Sequence, residues 1–305
     1  MLHPRTGPQP PLLWGGNLFQ QYVVDAWASV EQSTLNWIRQ HQKELRAEVY
    51  SELRDAALGD RDENVNLAEH GRRIILPSSF GGGECHISQL FHDSMAICRH
   101  FHKPDLFLTM KTNQNWPEIQ DQLLWEVPPP AGARYQQRKQ KASDRPDIVA
   151  RVFEMKKNQL LKEIKEGLFG RVPAMVHTIE FQKRGLPHMH LLIFFNQEDK
   201  ICDAAHVDRI VSAQLPDPQL HPQLYHTVTN CMLHGPCGIH KPNAPCMVNG
   251  NCTKHYPKEF LEATIFGENG YPQYKRPNSG RTVEKNGFTY DNRWVVPYNP
   301  YLSAK

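Results

Sequence analysis

The chain lacks any long apolar run among its 305 residues, so no segment of the sequence is long and apolar enough to span a membrane. Its proline-rich start has no apolar core segment of the kind a secretory leader needs. Charge of one sign is scarce. Thirty-five Lys and Arg against 32 Asp and Glu leave a net +3, so no polycationic mode of binding nucleic acid follows from the total. The triplet Gly81-Gly82-Gly83 lacks the Lys-Ser/Thr that completes a phosphate-cradling P-loop, and no nucleotide-driven motor is expected. Without a leader, the seven cysteines read as free thiols or metal ligands in a reducing compartment. These exclusions leave a soluble intracellular protein with enough chain for two or three subdomains.

What is present centres on His188-Met189-His190, which opens the apolar run Leu191-Leu192-Ile193-Phe194-Phe195. Alternate side chains of a strand share a face, so both imidazoles point one way while Met189, Leu191 and Ile193 turn to a core. Two adjacent imidazoles can hold one divalent ion. The preceding strand, Val172 to Gln182, carries Val176, Thr178, Glu180 and Gln182 on one face, and Lys183 to Pro187 form the turn. Glu180 and Gln182 are thus both candidate oxygen ligands opposite the histidine pair.

In chain order, residues 1–13 read as a disordered leader and 14–70 as a helical segment. Phe19, Tyr22, Val23, Ala26, Trp27 and Val30 form one stripe, read as the buried face of a support helix. Ile87, Leu90, Phe91, Cys98 and Phe101 recur at helical spacing, and Leu106 to Thr112 reads as a strand with Leu106, Leu108 and Met110 inward. Thr109, Lys111 and Asn113 then face outward, toward nucleic acid. Arg138, Lys139 and Lys141, with Lys183 and Arg184, suit contacts to phosphates. Val149 to Leu168 is a helix with Val149, Val152, Phe153, Leu160, Ile164 and Leu168 buried, and it feeds the histidine hairpin. Residues 71–228 form the expected core.

Residues 229–262 hold four of the seven cysteines among glycine and proline turns. Cys237, Cys246, Cys252 and His255 are the favoured Zn²⁺ ligands, with Cys231, His234 and His240 as alternatives, because so loop-rich a stretch has little core of its own. Residues 263–305 read as a hairpin turning at Asn286-Gly287, followed by an extended segment.

The chain resembles the HUH endonucleases of rolling-circle replication, and more closely the Rep domain of Helitron transposases, also called the Helitron helicase-like domain. Arg72 to Phe80, Lys103 to Met110, Arg145 to Phe153, Thr178 to His190 and Asn292 to Tyr301 carry the resemblance, in the family's order, over about residues 14 to 305. It implies an α+β fold: a central antiparallel sheet flanked by helices, with the N-terminal helical segment and the Cys/His-rich insertion added. It also implies Mg²⁺ or Mn²⁺ on His188 and His190, with Gln182 or Glu180 as third ligand. The implied activity is nicking and joining of single-stranded DNA at transposon ends. The implied partners are that DNA and the helicase domain of a full-length relative; the location would be nuclear in a eukaryotic host. The family's nucleophilic tyrosine pair follows a Tyr-x-x-x-Tyr-x-x-Lys pattern on a later helix. Tyr298 and Tyr301 do not match it, and the chain reads as a fragment ending before that helix.

Overall fold

The structure is a computed structural model that describes residues 13, 15–45, 74–123, 139–181, 185–267 and 270–305. Arg138, Gln182, Lys183, Arg184, the leader before Leu13 and the stretch 46–70 therefore lie outside the described residues. The chain divides into two compact units, Met1–Glu198 and Asp199–Lys305. Residues 199–228, expected with the core, belong to the second unit.

The first unit is built on three antiparallel strands: β1 (Leu106–Lys111), β2 (Ala174–Phe181) and β3 (Pro187–Phe194), in the order β1-β3-β2. β3 is central because it alone is apolar enough to be covered on one face along its length. Met189, Leu191 and Ile193 are fully buried, each contributing about 1.5–3 kcal/mol of transfer free energy. β1 alternates as expected, with Leu106, Leu108 and Met110 half-buried and Phe107, Thr109 and Lys111 exposed. At its start, the Asp105 carboxylate accepts from the Phe195 amide at 2.8 Å and fixes the β1–β3 register.

Helix α3 (Pro146–Lys165) packs against β3. Pro146 occupies its first turn, Asp147 complements the positive end of the dipole there, and Lys162 and Lys165 complement the other end. Val149, Val152, Phe153, Leu160 and Ile164 are buried as expected, but the helix ends at Lys165, so Leu168 lies beyond it and is only half-buried. Ile119, Leu123 and Ala142 extend that core around Ile148. The two earlier helices, α1 (Asn17–Gln40) and α2 (Glu84–Phe101), depart from expectation. Phe19 is buried, but Tyr22, Val23, Trp27 and Val30 stay exposed, and α2 buries no residue. Their apolar stripes exist, yet among the described residues most of each stripe is left exposed, and α2 meets the core where Phe101 lies against Phe194, with ring centroids 5.8 Å apart. The chain beyond α1 is held by Gln42, whose buried amide gives to and takes from the Ile75 backbone, both at 3.0 Å, as a strand neighbour would.

The second unit has short helices, α4 (Ala204–Ile210), α5 (Pro222–Cys231) and α6 (Pro300–Ala304), and two-stranded hairpins. The hairpin Val283–Lys285 with Phe288–Tyr290 turns at Asn286 and Gly287, at φ 54° and 72°. Two such residues in succession are the requirement of a type I′ turn. Arg276 is buried and donates to the Asn292 and Val295 carbonyls at 2.6 and 2.8 Å, tying loops that have little regular structure. The expected extended end is corrected in part: Tyr298 pairs with Ser212, but Pro300–Ala304 is helical. Proline is tolerated at a helix's first position, and the Asn299 side chain caps the Leu302 amide at 2.8 Å. The molecule is thus a mixed helix-and-sheet protein with small antiparallel sheets. Among the described residues, no helix is long and apolar enough to cross a membrane.

Candidate metal centres

Strand register builds the first centre. β3 pairs His188 with Glu180 on β2 and Lys111 on β1, and pairs His190 with Thr178 and Thr109. Directly paired residues project to the same side of a sheet. That face therefore carries Phe107, Thr109 and Lys111 of β1, then His188, His190 and Leu192 of β3, then Val176, Thr178 and Glu180 of β2. Nε2 of His188 lies 3.2 Å from Glu180 Oε2, and Nε2 of His190 lies 3.6 Å from the same oxygen. One ligand atom from each of the three residues falls within 4.8 Å of the others, a set that could hold a metal ion. Glu180 is more than half exposed while the His188 side chain is buried. Gln182, the other expected oxygen ligand, lies outside the described residues.

The imidazoles are oriented differently. Nδ1 of His190 lies 3.1 Å from Thr109 Oγ1. Were Nε2 to ligate a metal ion, Nδ1 would carry the proton and donate to the hydroxyl oxygen, fixing the ring's orientation. The two rings meet edge to face, with centroids 4.8 Å apart. Nδ1 of His188 is buried and has no hydrogen-bond partner among the described residues. Of the expected DNA contacts, Thr109 and Lys111 lie on this face. Asn113 instead accepts from the Asn115 amide at 3.0 Å, and Lys139 donates to the Gln120 carbonyl at 3.1 Å. The Lys141 amide donates to Asp144 at 2.9 Å.

The second centre lies in the second unit. His234, Cys237, Cys246 and Cys252 place one ligand atom each within 4.8 Å of one another, a tetrad that could bind a metal such as zinc. Three thiols are those expected; the fourth member is His234, and not His255. His234 Nε2 is 3.3 Å from Cys252 Sγ, and its ring stacks on Tyr256 with centroids 4.2 Å apart. His255 sits in the turn after Cys252 at φ 55°, with its amide donating to the Cys252 carbonyl. Cys231 and His240 are also outside the tetrad. Both isolating features of the site are chemical: Cys237 is buried, and burial with neighbouring thiols pushes it up to about 12. Burial opposes ionisation of Cys252 as well, yet amide donors from Tyr256 and Lys254 outweigh it and lower that thiol. Burial, with Lys254 and Lys258 nearby, lowers His234, favouring the neutral ring a metal needs. The spacing His-x2-Cys in His234-Gly235-Pro236-Cys237 was the signal for His234, a two-residue gap like those of zinc knuckles.

A family model described as the Helitron helicase-like domain at the N-terminus matches residues 1–193, and the chain belongs to that family. The matched span contains all of Thr109, Glu180, His188 and His190; the Cys/His tetrad lies beyond it. Membership ties the chain to Helitron transposition and to nucleic acid in general terms. No curated protein matches it.

Proposed function

We propose that the first unit holds single-stranded DNA at transposon ends for nicking and joining on the HUH pattern, with Mg²⁺ or Mn²⁺. The observation that carries this reading is the convergence of Glu180, His188 and His190 from two neighbouring strands on one open sheet face. The donor set fits a divalent ion: two imidazole nitrogens and one carboxylate oxygen, few enough to leave coordination positions for phosphate oxygens. When bound, the ion would withdraw charge from the scissile phosphate. His188 and His190 would hold it through Nε2, Glu180 or Gln182 would complete the set, Thr109 would fix the His190 tautomer, and Lys111 would meet the neighbouring phosphate. On the HUH pattern a tyrosine hydroxyl would attack phosphorus as the P–O3′ bond breaks, giving a 5′-phosphotyrosine and a free 3′-hydroxyl; none of the three residues of this centre is a tyrosine.

Tyr298 does not suit that attack. It is buried, and its hydroxyl donates to the Gln214 carbonyl at 2.9 Å. Tyr301 is half exposed on α6, beside Lys305. This supports a second reading, in which the chain binds nucleic acid without cleaving it and Zn²⁺ on the tetrad stabilises the second unit. A helicase domain is the proposed partner, and a nuclear location follows in a eukaryotic host. The test is labelled single-stranded DNA incubated with the chain and Mn²⁺, then run on a denaturing gel. A protein-linked band supports tyrosine transfer; cleavage without a link means water is the nucleophile; a gel shift alone supports the second reading.

A further inference from the structure

We infer that Phe107 is a stacking platform for a base of single-stranded DNA, holding the strand in place over the Glu180–His188–His190 centre. The inference rests on the nucleic-acid reading of that face, and it adds a residue that reading does not use. Phe107 is paired with Leu192 of β3, which is in turn paired with Val176 of β2, so it stands at the apolar end of this face. It occupies the outward register of β1, followed at alternate positions by Thr109 and Lys111, while every inward position of the strand is aliphatic or Met. Phe107 is 61% exposed, a large aromatic surface left open where the face passes from apolar residues to Thr109 and Lys111. Its ring lies nearly parallel to that of His190, at 8° with centroids 5.6 Å apart. The ring thus lies beside a candidate metal ligand while more than half of the residue stays exposed.

The neighbours choose the occupant. Residues two apart on a strand are about 6.6–6.8 Å apart, so an aromatic face, a hydroxyl and a cation follow one another in a line beside the centre. An aromatic face with a nearby cation is what tracks a single strand, since every base has a π-face and every linkage a charge. A duplex offers no free base face to Phe107. An apolar protein partner would leave Lys111 and Glu180 desolvated without a matching pair.

The test uses the full chain, zinc-loaded, with a fluorescent oligodeoxythymidylate and one carrying 2-aminopurine, in buffer without other divalent ions. Phe107→Leu keeps an apolar cover for His190 but loses the π-face, and Phe107→Tyr restores it. Wild type and Phe107→Tyr are expected to bind the single strand and quench 2-aminopurine. Phe107→Leu should bind about 5- to 150-fold more weakly, the range reported by removal of one stacking residue. Equal affinity and equal quenching in Phe107→Leu, or no binding by the wild type, would overturn the inference. Cleavage is read separately with Mn²⁺. A chain that needs Phe107 to bind but never cleaves keeps this inference and loses the nicking reading; a chain that cleaves with Phe107→Leu unchanged does the reverse.

Discussion

His190 spends its two ring nitrogens in opposite directions, one toward Thr109 and one toward Glu180. The division makes a sharp prediction. Thr109→Val deletes the acceptor that orients the ring without changing side-chain volume much, and should weaken Mn²⁺ binding about 10- to 100-fold by calorimetric titration. Because Thr109 is exposed, the thermal midpoint should move little, a change within about 0.5 kcal/mol. His234 and His255 form a second contrast. His234→Ala should lower bound zinc measured by atomic absorption, whereas His255→Ala should leave it unchanged, and the opposite ranking would return His255 to the tetrad. The three thiols were legible because four cysteines crowd one loop-rich stretch. The histidine was legible only in the His-x2-Cys spacing of His234 and Cys237, since the turn that places His255 outside the tetrad is not revealed by composition.

Among the elements, β3 carries the site on one face and the core on the other. Leu191→Ala, at a fully buried position, should cost about 2–5 kcal/mol in urea unfolding, a range set by how far the cavity collapses. Gly287→Ala in the hairpin turn, at φ 72°, should cost about 1–2 kcal/mol through backbone strain alone. A cost as large at Gly81, whose φ is not positive and whose added Cβ meets nothing, would contradict that cause. The strands, α3 and this hairpin were readable because each combines a local period with a local stop signal. α3 shows the limit of that logic when set beside α1 and α2. All three have apolar stripes, but a stripe says only which side of a helix is apolar, and burial depends on whether a distant segment arrives to cover it. The helical end at Pro300 was obscured for the opposite reason: a proline that breaks a helix interior is compatible with its first turn.

At the scale of the whole molecule, the two units draw stability from different sources. The first has a sheet, a long helix and a buried aliphatic layer; the second has short hairpins, buried Arg276 and the Cys/His tetrad. Zinc removal by a chelator should therefore raise amide hydrogen exchange across 234–256 first, while 146–165 and 187–194 keep their protection. Uniform loss of protection would show that the tetrad is not a local staple. The central claim, though, is the divalent centre on the sheet. Its most direct test is electron paramagnetic resonance of Mn²⁺ added to the zinc-loaded chain, compared with the His188→Ala/His190→Ala variant. One bound Mn²⁺ per wild-type chain, lost in the double variant while its fold persists by circular dichroism, is the predicted result. No bound Mn²⁺ in the wild type, or equal binding by the variant, would contradict it.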